Sequence, residues 1–249
     1  MNRVRAWIAL GTSVFFESAR DRVFYVSFLI AINLQFLNLL LSRLTFVRPE
    51  RVVVDVGATA IVWVGLGLSV LLGAGMIPNE MEKKTAILVL TKKITRVDFI
   101  LSKSVGLAGI LMLNQLILGA VWWLMLEQVK SPFNTVNFQF LWLCFLMSWI
   151  CGLFAILISS FSSRTVSVLL GLGFYLIGIN LSLLREFFPG PGSKFLSQIF
   201  FDFEKFHLGL NLSYGVALDH QVVLSASVYA VCWAAALSLL AAVVMKKRW

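Results

Sequence analysis

Residues 104–126 read SVGLAGILMLNQLILGAVWWLML, 23 positions without an acidic, basic or histidine side chain. At about 1.5 Å per residue such a helix is roughly 35 Å long, enough to cross a hydrocarbon core of about 30 Å. Five further runs of similar length, at 23–41, 58–77, 138–161, 165–184 and 222–245, are equally free of ionisable groups. Lipid offers no hydrogen-bond partner to an open backbone, so each run is expected to be a helix. The pattern predicts an all-α polytopic membrane protein with six transmembrane helices, built as one domain over residues 1–249. Composition agrees, because 59% of the 249 residues are hydrophobic, 13% are charged and the mean hydropathy is +0.90. That balance excludes an ordinary soluble enzyme.

The formal charge of +9 is read by its distribution. Residues 1–22, 78–103, 162–164 and 246–249 carry 14 Lys and Arg against 5 acids, whereas 42–57, 127–137 and 185–221 carry 7 of each. By the positive-inside rule the first set faces the cytoplasm, which places both termini there in a bacterial inner membrane. The basic balance therefore reports topology, and no nucleic-acid partner is expected. Trp63, Trp122, Trp123 and Trp142 fall near the predicted outer ends of spans, where indole rings favour the interface with lipid headgroups. Residues 1–22 mix Arg3, Arg5, Glu17, Arg20, Asp21 and Arg22, and the apolar run after them is long enough to span, so a retained N-terminus is expected rather than a cleaved signal.

Proton relays and charge-coupled carriers need ionisable groups within the bilayer, and the six spans have none. Their polar side chains are neutral amides, Asn33, Gln35, Asn38, Asn114, Gln115 and Asn180, which fit either interhelical hydrogen bonding or the lining of a path. Gly65, Ser69 and Gly73 recur at four-residue spacing and predict a close helix contact on one face of the second span. Cys144, Cys151 and Cys232 lie inside apolar runs and read as small core residues. No phosphate loop, zinc-protease or hydrolase motif occurs, and His207 and His220 are thirteen positions apart with no cysteine nearby. Neither a catalytic site nor a metal site is expected in this chain.

The largest inner connection, 78–103, holds nine charges and is where a cytoplasmic partner would dock. Asn79 with Glu82 reads as a capping box, which predicts a short helix from Glu80 toward Leu90 with Lys83 and Lys84 on its polar side and Ile87 on its apolar side. Thr95 with Asp98 reads as a second box, so the third helix is expected to start near Arg96, with Lys103 at its basic base. A solvated connector that obeys only the charge rule fits the same pattern.

This stretch, NEMEKKTAILVLTKKITRVDFILSK, resembles the connection between the second and third spans of type-two ABC exporter permeases. Glu80, Glu82, Thr85, Arg96 and Lys103 stand at the matching positions, while Lys84 stands where a Gly is usual and Lys93 where a Pro is common. FFESARDR, residues 15–22, is similar to the end of that family's N-terminal interfacial helix, and Val4, Trp7, Ile8, Leu10, Val14 and Phe15 give residues 4–16 an amphipathic pattern. Phe203, Glu204, Lys205, Phe206, Tyr229 and the closing Lys246, Lys247 and Arg248 resemble its final outer loop and sixth span. The branch it most resembles holds permeases of nitrous-oxide-reductase maturation and gliding motility. The resemblance implies a membrane subunit that is not itself an enzyme, paired with a second permease chain as a homodimer. A separate ATPase would bind ATP and Mg, so that this chain needs no cofactor of its own, and the inner connection would be a coupling helix seated in that ATPase. Its contacts would come from Glu80, Glu82, Lys83, Lys84, Thr85, Ile87, Arg96 and Lys103.

The last outer connection spans 37 residues, 185–221, and opens with FFPGPG, which breaks the fifth helix. Phe195, Leu196, Ile199, Phe200, Phe203 and Phe206 then fall largely on one helical face. An interfacial helix resting on lipid fits this pattern. So does an outer gate, or a dock for a periplasmic or envelope protein, with Phe195, Ile199, Phe200, Phe203 and Phe206 as its contacts.

Overall fold

The computed structural model describes residues 3–44, 49–82, 95–187, 200–207 and 209–248, and these are helical apart from short connections, with no strand among them. The helices are α1 (Arg3–Ala19), α2 (Arg22–Leu44), α3 (Pro49–Glu82), α4 (Arg96–Gln128), α5 (Thr135–Ser159), α6 (Arg164–Ile179), α7 (Leu181–Phe187), α8 (Gly209–Tyr214) and α9 (His220–Arg248), with a 3₁₀ turn at Glu204–Phe206. Five of them, α2, α3, α4, α5 and α9, are long and apolar enough to cross a membrane. The predicted fifth span is different. Its helix α6 has 16 residues and stops at Asn180, after which α7 adds seven more beyond a break.

The bundle is organised around α5, which is apolar on every side and packs against α3, α4, α6 and α9. A helix without a polar face belongs inside, and α5 is accordingly buried along most of its length. At the edge lies α2, whose Leu29, Ile30, Phe36, Leu37 and Leu40 are exposed. So much apolar surface on one helix suits lipid rather than water.

Helix α3 is longer than the predicted 58–77 at both ends. Pro49 opens it, since a proline at the first helical position loses no hydrogen bond, and Glu50 in the first turn suits the helix dipole. At the far end the helix runs through Pro78 to Glu82 instead of restarting after Asn79. The expected cap at Asn79 is therefore wrong: a proline this close to the end disturbs only the last turns, and Glu80 is tied across to α4. The remainder of the predicted Glu80–Leu90 helix lies outside the described residues. Because α3 begins at Pro49, Trp63 lies well inside it rather than near an end. Trp122 points into the protein rather than toward lipid headgroups. It is fully buried, and its indole N–H donates to the Val53 carbonyl at 3.2 Å.

The face of α1 formed by Gly11, Val14, Phe15 and Ser18 packs along α4. Gly106 allows this approach, because a Cβ there would stand 2.5 Å from a Val14 methyl. The predicted second capping box is present: the Thr95 hydroxyl accepts from the Asp98 amide at 3.2 Å, and the Asp98 carboxylate accepts from the Thr95 amide at 3.3 Å. It starts α4 at Arg96, as expected. Of the cysteines, Cys144 and Cys151 are buried in α5, whereas Cys232 is exposed on α9 and is no core residue.

Candidate functional site

The Gly65, Ser69 and Gly73 stripe sits against α5 and forms a tight seam of the bundle. A Cβ on Gly73 would stand 2.5 Å from the Gly152 carbonyl oxygen, and one on Gly152 would stand 2.6 Å from the Ser69 hydroxyl. The Ser69 hydroxyl donates to the Ser148 carbonyl across the same seam. Small residues thus bring two backbones into contact, and a side chain reads the opposite backbone there.

At one end of this seam, Lys103 of α4 and Glu80 of α3 form an ion pair, with side-chain exposures of 3% and 14%. The Lys103 ammonium also lies 5.7 Å from the centre of the Phe99 ring. Ser18 and Asp21, at the end of α1 and just after it, face the same small cavity as Lys103 and Asn79. Glu80 and Lys103 therefore hold each other, while Glu82 is exposed at the last position of α3. Arg96 is the first residue of α4. Lys83, Lys84, Thr85 and Ile87 lie outside the described residues. Of the predicted coupling set, the structure brings Glu80 and Lys103 together and leaves Glu82 facing outward beside them in sequence.

The amides within the apolar stretches divide into three kinds. Asn33 and Asn180 donate to carbonyls four residues back in their own helices, at 2.8 Å each. Asn38 instead reaches the Val53 carbonyl of α3 at 3.1 Å and joins two helices. Asn114 and Gln115 are buried in α4, and neither the Asn114 amide nor the Gln115 nitrogen has a hydrogen-bond partner among the described residues. Gln115 also lines an apolar groove of about 530 Å³ between α4 and α5, rimmed by Trp123, Phe138 and Trp142.

At the opposite end of the bundle, residues 200–207 form a wedge, and the expectation of one continuous amphipathic helix here is corrected. Residues 201–203 have no regular secondary structure, Phe203 already has α-region backbone angles, and only Glu204–Phe206 makes a 3₁₀ turn. Phe203 and Phe206 are buried among helices rather than laid on a surface, and Phe200 is half-buried. The cause is local. The break at Asn180 opens a slot, where the Phe203 N–H donates to the Gly178 carbonyl at 3.2 Å and Glu204 accepts from the Ser182 amide and hydroxyl at 2.8 and 2.6 Å.

Phe201, which the periodicity did not single out, is the centre of the wedge. Its ring is stacked 5.0 Å from Tyr229, and Phe203 lies 5.4 Å from Tyr175. Lys205 pairs with Asp202 and lies over Tyr229. Phe195 and Ile199 lie outside the described residues. The signal for this wedge was the aromatic density of IFFDFEKF, residues 199–206, beside a glycine and an asparagine near the end of the fifth run.

Gly178 is the position on which the wedge depends, since a Cβ there would come within 2.3 Å of the Phe203 ring. Gly178→Val is expected to push the wedge out and to lower stability by about 1–3 kcal/mol. Thermal unfolding of the detergent-solubilised chain measures this, with Gly173→Val as the control because that position faces open space.

No protein-family model matches the chain, and no curated protein matches it. What the geometry establishes is an all-helical, membrane-type bundle with a pinned polar end, a tight central seam and an inserted aromatic wedge.

Proposed function

We propose that the chain is the permease subunit of an ATP-driven transporter of the type-two ABC class. It works as an exporter in a bacterial inner membrane, with both termini in the cytoplasm. Two such chains pair above separate ATPase subunits, which bind the ATP and Mg. In this reading α6 and α7 together make the fifth of six crossings and α1 lies along the cytoplasmic interface. The observation that carries the reading is the Glu80–Lys103 pair, which clamps α3 to α4 beside the connection that resembles the family's coupling segment. A push on that connection would pass into both helices at once and onward through the α3–α5 seam. ATP binding and hydrolysis in the partner would then bias the permease pair between two states. The absence of ionisable groups from 104–126 and the other predicted spans supports an external source of energy.

The wedge supports a second reading, in which motion is delivered to an envelope protein and no cargo crosses. Its hydrogen bonds to Gly178 and Ser182 tie residues 203 and 204 to α6 and α7, so movement of those helices would carry the wedge with it.

Gentle purification from the native membrane followed by mass spectrometry is expected to recover a stoichiometric ATPase. An additional envelope protein would favour the second reading, and reproducible recovery of the chain alone would overturn both. Reversing Glu82 and Arg96 and truncating Ile87 in one variant should abolish ATPase association while the chain still inserts. With the native cysteines replaced, a cysteine at position 84 should be labelled only from inside and one at 194 only from outside.

A further inference from the structure

The end of the bundle opposite Glu80 and Lys103 holds a polar cleft of about 370 Å³, within the range of small-ligand pockets. It lies between the start of α3, the turn from α4 to α5, and α8. Arg51 lines it, with the guanidinium 5.2 Å from the Tyr214 ring centre and no carboxylate partner among the described residues. A guanidinium held over a ring does not spend its N–H groups on that contact, so they remain available to an anion.

The opposite wall of the cleft is built from donors. Ser131, Asn134 and Asn137 line it. Asn134 is the N-cap residue of α5, yet its side chain makes no capping hydrogen bond. Asn137 is only 7% exposed and lines the cleft. Its side-chain amide offers two N–H donors to whatever occupies the cleft. The first turn of the 25-residue α5 adds backbone N–H groups that have no carbonyl partner within the helix, and its dipole favours negative charge at this place. Glu50 lies on the rim and supplies one carboxylate. The charge pattern is thus one cation with several neutral donors, and one anion a single residue away.

That pattern matches a phosphate that carries an ammonium a few bonds away. Its position also matters, because Glu50, Arg51 and Asp55 end where the charge-free stretch 56–79 of α3 begins. In a membrane-spanning α3, such a switch from charged to charge-free sequence falls where headgroups meet the hydrocarbon core. We propose that the cleft binds the headgroup of a zwitterionic phospholipid of the phosphoethanolamine type. The phosphate is held by Arg51, Asn137 and the start of α5, and the ammonium by Glu50.

The test uses the full chain in maltoside micelles, titrated separately with dihexanoyl phosphatidylethanolamine, dihexanoyl phosphatidylglycerol and water-soluble phosphoethanolamine. The ethanolamine lipid should bind about tenfold more tightly than the glycerol lipid, and Arg51→Gln should weaken it by about tenfold or more, as loss of a charge-assisted hydrogen bond implies. Arg51→Lys, which keeps the charge but loses the planar fork, should fall between. Glu50→Gln should make the two lipids bind alike, and this change of preference carries the test should Arg51→Gln fail to fold. Equal binding by the wild type and Arg51→Gln would overturn the site. Equal affinity of the wild type for both lipids would overturn the zwitterion assignment. Binding of soluble phosphoethanolamine as tight as that of its lipid would overturn the membrane source in favour of a free ligand.

Discussion

Lys103→Met is expected to destabilise the isolated chain by about 3 kcal/mol, and Lys103→Met with Glu80→Met is expected to recover most of that loss. The reasoning follows from burial. Lys103 is 3% exposed and Glu80 14%, so removing one partner leaves a charge largely shut away from water. Breaking a buried pair costs roughly 3–5 kcal/mol, and the lower end applies here because Glu80 keeps some contact with solvent. Replacing both residues removes both desolvation penalties together with their attraction, which is why the double variant is the milder one. A reporter is already in place. The Trp149 indole donates to the Ser104 carbonyl at 3.2 Å, next in sequence to Lys103, so in a background where the other seven tryptophans are replaced by Phe its fluorescence during unfolding follows this junction. If Lys103 were instead held for an ATPase, Lys103→Met would leave the isolated chain as stable as the wild type and affect only the complex.

The same pair shows how far the sequence could be read. Apolar runs of bilayer length located the five long helices, because a span is a long signal that no single residue can mask. Thr95 and Asp98 gave the start of α4 correctly, since a capping box is a local device and its two hydrogen bonds form wherever the chain lies. Pro78 misled for the opposite reason. The local rule marks a break, but the tie from Glu80 to a lysine 23 positions later holds the last turn of α3 in place. The wedge was legible only as composition. Periodicity put Phe203 and Phe206 on one face of a helix, and what they meet instead is the slot at Gly178, which comes from tertiary packing. The Arg51 cleft left no motif, because its residues are drawn from three elements between Glu50 and Gly215.

Gly73→Val is expected to disrupt the bundle strongly, with a loss of about 3 kcal/mol or more, the upper range for overpacking. The added Cβ would stand 2.5 Å from the Gly152 carbonyl oxygen, and a backbone atom cannot rotate away as a side chain can. Helices α3 and α5 would have to move apart, and that would break the hydrogen bond from the Ser69 hydroxyl to the Ser148 carbonyl. Gly67→Val is the matched control, since it lies on the same helix and faces open space. Thermal unfolding should separate the two variants by several degrees, at roughly 2–4 °C per kcal/mol for a chain of this size. Gly73→Ala, which adds only the Cβ, should already show a substantial part of the loss. Equal melting of Gly73→Val and Gly67→Val would mean that α3 and α5 do not meet along this seam, and the route proposed from the Glu80 end into the bundle would lose its first step.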